Sequence, residues 1–291
     1  MSERKFSRWA DLPALVGLFL AATLVAVVCA AVVGAAVPEM EREALLFVTY
    51  AVQFSLAVAG GAIYFRRRGE RRLFRLGFRW FDAPLVLAGI VIVAATGVVI
   101  EPVLNLFPER YFEELTEMIG SGGWSILLTV VAAPVLEELF FRGLILEQLS
   151  RRWSATAAVL TSALLFGVVH LPNLPQMVNA FVVAVVMGYV YLAGRSLVPV
   201  ILIHAINNGI AYLTMELTGT QSSDMRELIG NDTIYWLIYA VSAAVVIGAV
   251  AAIDGGLRAK GDGVRDEEEN GRTKTDKITL HEKTADEESA K

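Results

Sequence analysis

Two adjacent glutamates, Glu137 and Glu138, followed by Arg142, interrupt an apolar stretch from Trp124 to Leu149. An ionised side chain at mid-bilayer costs about 2.5–3.5 kcal/mol on insertion scales, so three within a turn and a half require a use. Residues four apart on a helix share a face, so Glu138 and Arg142 can pair and offset one another's desolvation. Glu137 projects to a different face and is left to look into a cavity. Two more polar pairs follow in apolar surroundings: Phe166 with His170, and His204 with Asn208, each pair again four apart. A carboxylate beside an imidazole can take a proton from water. An imidazole beside an amide can stabilise an oxyanion. Together they are the parts for acyl-bond hydrolysis without a covalent nucleophile. Glu137, His170 and His204 can alternatively be read as a His₂Glu zinc set with a fourth, water-filled position. The helix motif H-E-x-x-H that usually carries such a set is absent. Each group also has a structural reading: an ion pair locking helices, a satisfied core histidine, an interhelical clamp.

These groups must be positioned by membrane-spanning helices. The chain has 291 residues, of which 55% are hydrophobic, and its mean hydropathy is +0.56. That composition is polytopic-membrane rather than soluble. Apolar runs of spanning length occur at about 12–36, 44–65, 84–106, 124–149, 155–171, 175–193, 197–215 and 234–253. Lipid offers the backbone no hydrogen-bond partner, and no period-2 alternation suggests a barrel, so the expected fold class is all-α with about eight transmembrane helices. The first run is too long for a signal peptide's core and reads as a retained helix. Cys29 is the single cysteine, so no disulfide closes within the chain. The membrane domain is expected at residues 1–254. Residues 255–291 are polar, include Asp266 to Glu269, and read as a disordered tail.

Lysine and arginine counts set the orientation. With the N-terminus cytoplasmic, the inner loops carry thirteen (Arg4, Lys5 and Arg8; seven arginines from Arg66 to Arg79; Arg151, Arg152 and Arg195). The outer loops carry Arg42, Arg110 and Arg226. Both termini are therefore expected inside. The stretch Arg66–Arg79 is a basic cytoplasmic loop, or more sharply a patch for anionic lipid with Leu73, Phe74, Leu76 and Phe78 dipping into the interface. Glu137 and His204 fall at compatible depths. His170 comes out nearer the outer face, which requires the fifth helix to be tilted or re-entrant.

Taken in order, Glu137-Glu138-x-x-x-Arg142, Phe166-x-x-x-His170 and His204-x-x-x-Asn208 resemble the three motifs of the CPBP family. That family comprises type II CAAX prenyl endopeptidases and bacteriocin-processing or Abi-type membrane proteins. The resemblance covers about residues 124–215. It implies that Glu137 activates water and His170 helps hold it, while His204 and Asn208 stabilise the oxyanion. Glu138 and Arg142 would support the site, and Phe166 would line it. The family is labelled both metalloprotease and glutamate-dependent; the asymmetry between Glu137 and Glu138 favours no required cofactor, with zinc as the alternative.

A serine protease would need a G-x-S-x-G nucleophile, and an aspartyl protease two mid-span aspartates; neither pattern is present. The non-enzyme alternative is a scaffold, immunity protein or transporter that uses the polar cluster structurally. Expected partners are membrane lipids and a peptide or lipidated-protein substrate, with no nucleic acid. The expected location is a multi-pass protein of a prokaryotic plasma membrane. Glu101, in the third span, has no assigned role.

Overall fold

The computed structural model describes residues 11–70, 74, 83–218 and 225–259. These residues form helices and turns, with no strand among them. In chain order the helices are α1 (Asp11–Ala36), α2 (Arg42–Arg67), α3 (Ala83–Leu104), α4 (Arg110–Ile119), α5 (Gly123–Ser150), α6 (Ala155–Val168), α7 (Leu174–Gly194), α8 (Leu197–Thr218), α9 (Met225–Ile229) and α10 (Asp232–Ala259). The protein is thus an all-α integral membrane protein. Among the described residues seven helices are long and apolar enough to span, and each apolar run read from the sequence forms a helix over most of its length. The fifth run, 155–171, is the exception in length. α6 has 14 residues, about 21 Å of helix against a hydrocarbon core of about 30 Å. His170 sits in the turn just past Val168.

Local sequence explains the boundaries. Ser154 caps α6, its Oγ accepting from Ala157 N at 3.2 Å. Asn173 caps α7, accepting from Gln176 N at 3.0 Å, and Pro175 occupies the first turn, where a missing N–H costs nothing. The same Asn173 donates to Tyr111 O at 2.6 Å, fastening α4 beside the α6–α7 turn. Gly167 has no room for a side chain: a Cβ there would stand 2.9 Å from Met177 O. The α6–α7 hairpin therefore closes backbone to backbone, as small residues allow between membrane helices.

α5 and α7 are the most enclosed spans; α1 and α10 are peripheral. α1 packs on α2, α3 on α7 and α8, and α8 lies along the first half of α5. α5 itself is not a uniform α-helix. Leu127–Ala132 and Leu139–Leu146 are π-helical, so that Ala133 N bonds Leu128 O and Glu147 N bonds Arg142 O, each five residues back. The ordinary α-helical turn between them, Ala133–Glu138, carries both glutamates. Wide turns of this kind are frequent at functional sites.

One end of the bundle is tied by ion pairs. Buried Asp11 of α1 accepts from Tyr64 at 3.0 Å and from Arg68 and Arg152. Fully buried Glu147 meets Arg195 at 3.1 Å, Tyr191 at 2.9 Å and Arg151 at 3.3 Å, and Arg151 reaches Glu70 at 2.7 Å. Of the basic stretch, Arg66 and Arg67 are exposed. Phe74 packs against the core and closes over Gly143. Arg71 to Leu73 and Arg75 to Arg79 lie outside the described residues, as does the tail from residue 260. The last helix runs to Ala259, five residues past the expected domain edge.

Candidate active site

Glu137, Glu138, Arg142 and His204 are all buried. The two glutamates face different partners, as helical spacing requires. Glu138 Oε1 lies 3.0 Å from Arg142 Nη1, an ion-pair contact rather than an aligned hydrogen bond. The Arg142 guanidinium also stands 4.8 Å over the Phe166 ring and reaches Ala184 O at 3.4 Å. Its charge is thus spread over a carboxylate, a π-face and a carbonyl, which is what a buried cation needs. Among the described residues Glu137 touches neither arginine nor lysine. Its Oε1 accepts the hydroxyl of Tyr50, and its Oε2 lies 3.7 Å from His204 Nε2.

His204 bridges the pair. Its Nδ1 is 2.9 Å from Glu138 Oε1. A carboxylate accepts, so Nδ1 carries the hydrogen and Nε2 is turned to Glu137. One turn further on α8, Asn208 donates through Nδ2 to Thr129 O at 3.0 Å. That carbonyl is available for a sequence reason. In the π register of α5 its helical donor would be the residue five ahead, Pro134, which has no N–H. Asn208 supplies the missing donor and keeps a second N–H.

His170 is half-buried and turns Nδ1 to Phe166 O at 2.7 Å. The carbonyl makes Nδ1 the donor and leaves Nε2 as acceptor. His170 reaches the other groups through Phe166, whose ring is 5.1 Å from His170 and 6.0 Å from His204. The structure therefore joins Glu137, Glu138, Arg142, Phe166 and His204 in continuous contact. His170 flanks that set, and Asn208, one turn along α8 from His204, is bonded to Thr129 O of α5. Among the described residues no three His, Cys, Asp or Glu side chains are disposed to hold a metal ion.

Tyr50 was not legible as a site residue. Its signal is present in hindsight: a tyrosine two turns inside a span, away from the interfaces where tyrosines usually sit. Glu101, unassigned from sequence, is buried and accepts from Tyr235 at 2.9 Å and Met225 N at 2.6 Å. It fastens α9 and α10 to α3, apart from the Glu137 cluster.

Residues 120–210, which contain all three motifs, match the family model described as Type II CAAX prenyl endopeptidase Rce1-like. No curated protein and no solved structure matches the chain. Over these residues the chain is similar to the type II CAAX prenyl endopeptidases of that Rce1-like family.

Proposed function

We propose that this chain hydrolyses a peptide bond near the C-terminus of a membrane-associated, prenylated substrate, using water activated by Glu137. The observation that carries the reading is the division of labour on one helical turn. Glu138 is committed to Arg142, while Glu137 has no arginine or lysine partner among the described residues and presents Oε2 to His204 Nε2 at 3.7 Å. At that separation the two groups do not bond directly, and one water can touch both.

Glu137 Oε2 takes a proton from this water as its oxygen attacks the scissile carbonyl carbon. His170 Nε2, held by the Nδ1 bond to Phe166 O, accepts the water's other hydrogen and fixes its direction. The carbonyl oxygen becomes an oxyanion. It is met by the second N–H of Asn208 and by the Nε2 edge of His204. These groups are preorganised by Thr129 O and Glu138, so little reorganisation is needed as charge develops. Glu137 then gives its proton to the leaving nitrogen as the C–N bond breaks, releasing a carboxylic acid and an amine. Substrate partners are thus lipidated peptides in contact with membrane lipids. No cofactor is required in this scheme.

The test is cleavage of a farnesylated CAAX-type peptide by full-length protein in liposomes, read by mass spectrometry. Wild type is expected to cleave; Glu137→Gln and His204→Ala are expected to lose roughly 10²–10⁴-fold in rate. Wild type that cleaves no peptide would favour the scaffold reading, and intact cleavage by both variants would overturn the roles of Glu137 and His204. Strong chelation should leave the rate unchanged; loss on chelation with rescue by added zinc would replace the glutamate mechanism with a metal one.

A further inference from the structure

We infer that Tyr50 is a positioning residue for Glu137: it holds one carboxylate oxygen so that the other alone faces His204 and the reacting water. This inference rests on the hydrolase reading above.

Tyr50 lies on α2, outside the segment that carries the family motifs. Its hydroxyl donates to Glu137 Oε1. The ring is fixed from behind by stacking on Phe54, with centroids 4.6 Å apart and planes 25° apart. Phe54 is buried and is itself held edge-on by Phe19 and Phe140. The donor therefore sits on a rigid aromatic stack rather than a free rotor.

Positioning matters here because the last torsion of a glutamate is broad and roughly two-fold. Nothing intrinsic tells Glu137 which oxygen to present, or at what tilt. Tyr50 resolves the degeneracy: Oε1 is occupied, and Oε2 stays 3.7 Å from His204 Nε2. Without that bond the carboxylate can turn, and the proton acceptor leaves its productive line. Misplacement on this scale lowers the chemical step while leaving substrate binding alone.

Tyr50→Phe removes only the hydroxyl and keeps the stacked ring. With the farnesylated peptide and protein in liposomes, kcat is expected to fall roughly ten- to a hundredfold, with KM within about twofold of wild type. A merely structural tyrosine would lower the active fraction and the melting temperature together. The positioning role instead predicts a kcat loss in protein that melts like wild type. A kcat within about twofold of wild type, or a change confined to KM, would overturn the inference.

A second measurement needs no substrate. Melting temperatures of Tyr50→Phe, Glu137→Ala and the double variant form a cycle. Non-additive shifts report the bond, and additive shifts overturn its existence. If wild type cleaves no prenylated peptide, the hydrolase reading fails on its own, and the cycle still decides whether Tyr50 holds Glu137.

Discussion

Glu137 and Glu138 are neighbours with opposite obligations. Glu138 is wholly buried and answers both Arg142 and His204. Removing its charge would strand a guanidinium that is itself 2% exposed, an error worth about 3–5 kcal/mol in buried pairs. Glu137 strands no fixed cation when neutralised. Glu138→Gln is therefore expected to lower the unfolding free energy by about that amount in detergent, and Glu137→Gln by less than about 1 kcal/mol. Chemical or thermal unfolding of the two purified variants checks this, and an equal loss in both would remove the distinction between them. The pairing itself was readable, because a four-residue spacing places two side chains on one face whatever the tertiary structure. Tyr50 was not readable, because its partner lies 87 positions away on another helix and no local periodicity encodes that.

At the level of elements, the site is shaped by departures from regular helix. α5 carries two π-helical stretches on either side of the glutamate turn, and hydropathy is blind to them: an apolar run looks the same in either register. Pro134 was visible, yet its effect on Thr129 O appears only once the register is known. The α6–α7 turn was legible from Leu171-Pro172-Asn173-Leu174-Pro175, and the Asn173 cap with Pro175 forms there. The brevity of α6 was half-legible, since the apolar run was short but its last residues fold as a turn. The tightness of this hairpin has a consequence for His170. With 2.9 Å between a Cβ at Gly167 and Met177 O, the obstruction is backbone and cannot swing aside. Gly167→Ala is expected to cost about 1–3 kcal/mol, and to displace Phe166 and His170 enough to reduce turnover more than stability alone explains. Comparing residual activity with the folded fraction of this variant tests the point.

At the level of the whole molecule, we propose that both termini lie on the cytoplasmic side. The support is the thirteen-to-three sorting of basic residues and the clustering of Arg68, Arg151, Arg152 and Arg195 at one end of the bundle. Single cysteines at Glu39 and Arg258 in a Cys29→Ser background should label from opposite sides of intact vesicles, Glu39→Cys from outside and Arg258→Cys only after permeabilisation. Both labelling from one side would refute the topology.

The outward row of α6, Leu160, Leu164 and Val168, is exposed along a helix too short to cross. Lipids against that row have no full-length wall to match, so the bilayer must thin there or let its headgroups sag inward. Either response carries solvent down to the level of His170. A protease that needs one water per bond cut can thus be supplied by a local defect it imposes on its own membrane, with no dedicated channel through the protein.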